Sequence, residues 1–324
     1  MKKKVFVTGI SGLLGTNTVI ELLEQGYKVK GLVRDASRYH GPVHKDLELL
    51  EGKLSDDLTP MMTGVDVVVH IAAETSQDLT RYYYYWNNNY FATIQLYQSA
   101  IQAGVRRFIF VSTANTIGNG VMHNPGTERN PMRYPFSASW YAQSKATAEN
   151  YLLEHESTTG VIILNPCFML GAHDSKPSSG RLILSGLNKR VVLYPSGGKN
   201  FVHVRDVASG IMKCIEAGRN GEKYLLGNEN LSYYDFFKKL NLISGQDPLM
   251  IRIPRGLMVG LGVIGDLMRA LRIRTGLSSV NMKILSSENY YSNQKSRTEL
   301  GLEYRPVEQA IIDAVSYFRE TGMN

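Results

Sequence analysis

Short apolar runs alternate with stretches of helical apolar spacing over the first half of the chain, a pattern that implies parallel strands joined by right-handed helical crossovers. Lys4 to Thr8 is an expected strand. A helix is expected from about Leu13 to Gln25, with Leu14, Val19, Leu22 and Leu23 on its apolar face and Gly26 placed to stop it. Further strands are expected at Tyr27 to Val33, Val65 to Ile71, Arg107 to Ser112 and Val161 to Leu164, the last stopped by Pro166. The run from Val65 is near-continuously apolar, as suits a strand covered on both faces. Asn89 to Ala103 predicts a helix ended by Gly104, and a helix carrying Tyr141 runs to about Glu156. A weaker strand near Leu47 to Leu50 completes a count of six.

Beyond Pro166 the alternation is lost, and GAHDSKPSSG and YPSGGKN are turn-rich stretches suited to loops over a cleft. The expected fold is therefore α/β, a doubly wound, mostly parallel sheet of Rossmann type with a smaller C-terminal substrate-binding part. Residues 1–166 would form the dinucleotide-binding domain, with 201–226 packing against it, and 167–200 with 227–324 would form the substrate-binding part. A chain of 324 residues is long enough for both.

Pro254 to Leu271 is the most apolar stretch, but Asp266 and several glycines interrupt it, and it is too short to span a bilayer. It reads as a core or pocket-lining helix, with an amphipathic helix on a membrane surface as the alternative. The N-terminal MKKKVFVTGISGLLG reads as a first strand, since Thr8, Gly9, Ser11 and Gly12 break any signal-like apolar run.

Composition adds exclusions. The two cysteines, Cys167 and Cys214, match no metal-ligand or disulfide pattern, which suits a reducing cytoplasm and predicts no metal. The net charge of +7 comes from scattered basic residues, so no nucleic-acid partner is expected and an anionic cofactor is explanation enough.

The candidate chemistry begins with TGISGLLG, Thr8 to Gly15, directly after the first strand and opening the first helix. Gly9 permits a tight turn, Gly12 lets the backbone approach a pyrophosphate, Gly15 allows close helix packing, and the helix N-terminus offers N–H groups to the anion. An acid about 20 residues further on would bind a free ribose 2′-hydroxyl. Here LVRDASR has Val33 at that position, with Arg34 and Arg38 able to bind a 2′-phosphate. NADP(H) is thus favoured; Asp35 keeps NAD(H) open.

YAQSK places Tyr141 and Lys145 at i, i+4 on one helix face, where an ammonium favours the phenolate and brings the phenol toward acid–base use. VSTANTIG supplies Ser112 and Thr113 at a strand end, hydroxyls able to hold a substrate oxygen. His70, His203, Asn89 and Cys167 read as packed or hydrogen-bonded rather than catalytic. The run RYYYYWNNNY reads as the start of a helix packed on the fold or on a partner subunit, ahead of an aromatic pocket lining.

These motifs, together with DVVVHIAA, NYFAT, NPCFMLG and FVHVRDVA, resemble an extended short-chain dehydrogenase/reductase, of the group that includes dihydroflavonol reductase-like and NAD-dependent epimerase/dehydratase proteins. The resemblance runs over nearly the full length. It implies Tyr141 as catalytic acid/base, Lys145 on the nicotinamide ribose, and Thr113, with Ser112 second, at the catalytic hydroxyl position. It also implies cofactor contacts from Gly9, Ser11, Gly12, Leu13, Leu14, Gly15, Leu54, Ala72, Ala73, Pro166 and Phe168. Lys53 lies where the family often has an Asp near the adenine, Ala92 replaces a usual glycine, and Arg205 a usual acid. The expected activity is reduction of a small-molecule carbonyl by NADPH with Tyr141 as proton donor. A nucleotide-sugar epimerase with retained cofactor is the alternative, and a non-catalytic cofactor sensor is the third reading. A homodimer through the helices beginning near Asn89 and Ser137 is implied as well.

Overall fold

The computed structural model describes residues 2–155 and 157–323, the side chain of Arg38 excepted. The expected helix boundary at Glu156 lies outside the described residues. In chain order the first part comprises β1 (Lys4–Thr8), α1 (Leu13–Glu24), β2 (Lys28–Val33), β3 (Leu47–Glu51), β4 (Val67–His70), α2 (Tyr82–Tyr85), α3 (Ala92–Gln102), β5 (Arg107–Val111), α4 (Trp140–Glu154) and β6 (Gly160–Pro166). The second part comprises β7 (Phe168–Leu170), α5 (Arg181–Gly186), β8 (Val191–Tyr194), β9 (Gly198–His203), α6 (Val204–Glu216), β10 (Lys223–Leu226), β11 (Glu229–Ser232), α7 (Tyr233–Ser244), β12 (Leu249–Arg252), α8 (Arg255–Ala270), α9 (Ser279–Leu285), β13 (Glu288–Asn289), α10 (Gln294–Leu300) and α11 (Val307–Glu320).

The main sheet has seven strands in the order β10-β6-β5-β4-β1-β2-β3. Every neighbour pair in it is parallel. The sheet is doubly wound. Val5 and Val7 of β1 join a core with α1 and α6, while Phe6 joins Phe108, Phe110 and residues of α3 and α4 on the opposite face. Strand alternation thus sends neighbouring side chains into two separate cores. The strand order reverses at β1 and β4, so the crevice above their carboxyl ends is the switch point where such sheets bind ligands.

Three expectations are corrected. The sheet has a seventh strand, β10, paired to β6 with Leu226 opposite Pro166. The helix expected from Asn89 starts at Tyr82 and passes through a π turn at Trp86–Phe91. That turn holds the buried Asn89, whose Oδ1 accepts from the Glu74 N–H at 2.7 Å and whose Nδ2 donates to Ser144 Oγ at 3.1 Å. The third correction concerns α8, which is not a core helix: only Met258, Gly262 and Gly265 of its residues are buried. A Cβ on Gly265 would meet the Leu277 carbonyl oxygen at 1.8 Å and one on Gly262 the Ser279 Cα at 2.7 Å, so the glycines are the face laid against the start of α9.

A third core, with Phe201, Phe236, Phe237, Ile311 and Phe318, gathers α5, α7 and α11 over the four-stranded sheet of β7, β9, β11 and β13. Phe201 stacks on Phe236 with ring centroids 4.6 Å apart. This fixes β9, and with it Lys199, above the end of the main sheet. No helix among the described residues is long and apolar enough to cross a membrane.

Candidate active site

Between β1 and α1 the chain turns tightly. Gly9 lies at φ +74°, and a Cβ there would stand 2.7 Å from the Ala72 backbone nitrogen. A Cβ on Gly15 would come within 2.0 Å of the Gly9 carbonyl oxygen. Gly12 differs, because its Cβ would meet only that same oxygen, at an ordinary 3.6 Å. The fold therefore requires glycine at 9 and 15 but not at 12, where a side chain would point into otherwise open space. Gly12 caps α1 without any side-chain hydrogen bond, which leaves the first-turn N–H groups facing the loop as anion donors. Ala72 and Ala73 stand beside it, the Ala72 N–H bonded to Thr8 Oγ1 at 3.2 Å. These groups fit a dinucleotide pyrophosphate.

At the end of β2, Arg34 is exposed. Asp35 caps the short turn Ala36–Arg38, its carboxylate accepting from the Ser37 N–H at 3.0 Å and the Ser37 hydroxyl at 2.5 Å. The Arg38 side chain lies outside the described residues. Leu54 is partly buried against the Phe6 core.

Ser139 caps α4, which aligns Tyr141, Lys145 and Glu149 on one face at successive four-residue steps. The Thr113 side chain lies within reach of the Tyr141 hydroxyl. Burial pushes the Tyr141 phenol up to about 12, opposite to the fall expected beside an ammonium; Thr113 opposes the rise and the charge of Glu149 adds to it. Lys145 is buried, donates to the Val111 carbonyl oxygen at 2.8 Å and stands 4.1 Å from the Phe110 ring centroid. Burial brings its ammonium down to about 7 against the pull of Glu149.

Glu149 is a residue that the motif reading missed. It is buried, and Lys223 of β10 pairs with Oε2 at 2.6 Å. Oε1 accepts from Thr116 Oγ1 at 2.7 Å, Asn165 Nδ2 at 2.8 Å and the Ser112 hydroxyl. A buried carboxylate persists only with such full pairing. Ser112 is thereby turned away from the phenol and toward Glu149, and of the two expected hydroxyls only Thr113 meets Tyr141. The eight-residue step from Tyr141 to Glu149 was the signal in the sequence.

Thr113, Pro166 and Phe168 line a cavity of about 370 Å³, which Ser139, the cap of α4, also borders. Its far wall comes from Lys199, Asn281, Ile284, Leu285, Asn289 and Tyr291, among them residues distant in sequence that no spacing could have pointed to. Lys199 sits 4.9 Å from the Phe168 ring centroid, and burial lowers its ammonium to about 8. Cys167 also lines the cavity, but burial drives its thiol well above the ordinary range. His70 is fully buried with Nδ1 bonded to Thr8 at 2.7 Å and Nε2 to Thr93 at 3.0 Å. His203 is paired with Asp313 at 3.0 Å. Among the described residues no His, Cys, Asp and Glu cluster could hold a metal ion.

A glycine turn feeding a helix at the switch point, with a tyrosine and lysine one turn apart across the crevice, defines a dinucleotide-dependent enzyme of the short-chain dehydrogenase/reductase type. The chain belongs to the NAD dependent epimerase/dehydratase family, whose model matches residues 5–227. It is 31% identical to a Synechocystis sp. protein provisionally named dihydroflavonol 4-reductase, over 98% of this chain and 95% of that one. It is equally 31% identical to sterol demethylase protein B of Methylococcus capsulatus, over 98% of each. Among solved structures it is similar to gox2253, with TM-score 0.84, 29% identity and 99% of each chain covered.

Proposed function

We propose that this protein reduces a ketone or aldehyde of an uncharged, largely apolar small molecule, using NADPH. The observation that carries the reading is Thr113, which lies within reach of the Tyr141 hydroxyl and also lines a cavity walled by Phe168, Ile284 and Leu285. Thr113 holds the carbonyl oxygen, and Tyr141, whose phenol keeps its proton at neutral pH, donates it to that oxygen as negative charge develops. Lys145 would hold the nicotinamide ribose and offset negative charge left on the phenol. The α1 N-terminus with Gly9, Ser11, Gly12, Leu13, Leu14 and Gly15 holds the pyrophosphate, Leu54, Ala72 and Ala73 border the adenosine side, and Pro166 and Phe168 border the nicotinamide. When bound, the reduced nicotinamide supplies the hydride.

Residues 1–166 and 201–226 hold the cofactor in this reading, and 167–200 with 227–324 the substrate. The protein acts in the cytoplasm as a homodimer joined through α3 and α4, with Tyr83 and Tyr84 of α2 and Phe91 of the π turn exposed just ahead of α3. The relatives' names, a reductase and a sterol demethylation protein, support reduction of apolar substrates.

The cofactor choice rests on Arg34, exposed where a 2′-phosphate would lie, while Asp35 is engaged as a turn cap. Replacing Arg34 by glutamine should weaken NADPH binding by roughly 1.5–3 kcal/mol, the scale of a hydrogen bond to a charged group, and leave NADH little changed. Titration calorimetry with both cofactors checks this, and equal losses would remove the phosphate role.

The family also contains epimerases and dehydratases. Dehydration is disfavoured because Ala114 and Asn115 follow Thr113, where an acid pair would be needed to eliminate water. Epimerisation is the second reading, favoured by the cationic Lys199 at the cavity wall. Stoichiometry separates them: the reductase consumes one NADPH per product, whereas conversion without net consumption of added cofactor establishes the epimerase. NADPH binding with no turnover across a carbonyl panel would leave only a sensor.

A further inference from the structure

Helix α8 is built inside out. At 3.6 residues per turn, Leu257, Val263, Ile264, Leu267 and Leu271 at its end fall on one side. That side is the solvent side: Val263 is 60% exposed, Ile264 57%, Leu267 65% and Leu271 69%. Of its polar residues, Asp266 lies exposed at the flank of the stripe and Arg269 turns inward. Asp266 accepts from the Ser279 N–H at 3.1 Å, and Arg269 donates to the Leu79 carbonyl oxygen at 2.7 Å and lies 5.2 Å from the Trp140 ring centroid. Gly262 and Gly265 complete the inner face against residues 277–279. A water-facing helix normally shows the reverse pattern, so an exposed apolar stripe bare of charge marks a surface that something covers.

We infer that the outer face of α8 docks flat on an anionic lipid bilayer. Arg252 and Arg255 stand exposed at the start of the helix and Arg272 just past its end, so the stripe is bracketed by cations, while Arg274 is paired with Asp78 at 3.1 Å. Sixteen residues give a rod about 24 Å long. Lying in the membrane plane, it sinks its leucine and isoleucine side chains into the acyl boundary while the flanking guanidinium groups meet headgroup phosphates. A second copy of the chain fits this charge pattern poorly. A two-fold contact of antiparallel α8 helices would set the arginine pair at one end against Arg272 at the other. The connection after α8 and α9 itself contribute Gly276, Asn281, Ile284 and Leu285 to the cavity wall, so docking brings the substrate cavity next to the lipid phase. That placement would serve the apolar substrate proposed above, but the docking surface stands on its own geometry and is measured without turnover.

The test is co-sedimentation of the full chain with phosphatidylcholine vesicles, with and without phosphatidylglycerol, at low and high salt. The wild type should pellet with the anionic vesicles, weakly with the neutral ones, and less as salt rises. The I264D/L267D double variant changes only outward side chains; its partitioning should fall about tenfold or more. R255E/R272E should lower anionic binding at least roughly fivefold for each cation lost and remove the preference for phosphatidylglycerol. Circular dichroism and light scattering accompany each variant. Absence of wild-type binding to anionic vesicles, or binding unchanged in both variants, overturns the inference. A soluble oligomer that I264D/L267D dissociates also overturns it, and assigns the stripe to a second copy. Because NADPH binding is read separately, failure here leaves the catalytic reading intact, and a chain that binds vesicles without reducing any carbonyl separates the two in the other direction.

Discussion

Replacing Tyr141 by phenylalanine should lower turnover by about two orders of magnitude or more while cofactor affinity stays within a few-fold of wild type. The change deletes one oxygen and leaves the ring in place, so the fold loses at most the contact between that hydroxyl and Thr113. The chemistry loses its proton donor. The phenol is held protonated up to about 12, chiefly by burial, so in the wild type a proton is on hand throughout the neutral range. Steady-state rates with NADPH in excess, alongside NADPH titration of both proteins, check the expectation. A variant that turns over like the wild type would show that the proton comes from elsewhere.

The second large effect separates two glycines three residues apart. Gly15→Ala places a methyl group 2.0 Å from the Gly9 carbonyl oxygen, a backbone atom that cannot swing aside. The loop and the start of α1 must move together, and stability should fall by roughly 1–3 kcal/mol or more. Gly12→Ala meets nothing closer than 3.6 Å and should melt within about a degree or two of wild type. Its methyl stands where the pyrophosphate would approach, so cofactor binding should drop by at least tenfold or so. Thermal melts and cofactor titrations on the two variants give opposite patterns if this is right. A destabilised Gly12→Ala with normal cofactor affinity would contradict it.

The contrast shows how far the sequence could be read. β1, α1 and β2 were legible because period-two and period-3.6 patterns change over at a glycine motif whose context is specific. The Tyr141 and Lys145 pair was legible for the same reason: helical spacing is geometry written directly in the residue order. β10 was harder, since Lys223 to Leu226 is four residues without alternation and joins the sheet only after the chain has built β7, β8, β9 and α6. The far wall of the cavity was hidden because Asn281 and Ile284 of α9, Asn289 of β13 and Tyr291 just beyond it lie far along the chain and face Thr113 only through tertiary packing. α8 shows a different limit. An apolar stripe reports which residues share a face, and the same stripe results whether that face turns inward or outward. What decided the orientation were Gly262 and Gly265, whose missing side chains let α9 approach from the opposite side.

The ion pair between Glu149 and Lys223 has a consequence for how the chain is made. Synthesis runs from the N-terminus, so the helix bearing Tyr141 and Lys145 emerges while β10 is still unmade. Until residue 223 follows, the Glu149 carboxylate lacks the cation that balances it, and β6 lacks its outer neighbour. A nascent fragment that already carries every residue of the glycine loop and the tyrosine helix therefore still lacks the ion pair at Glu149 and the edge strand beside β6.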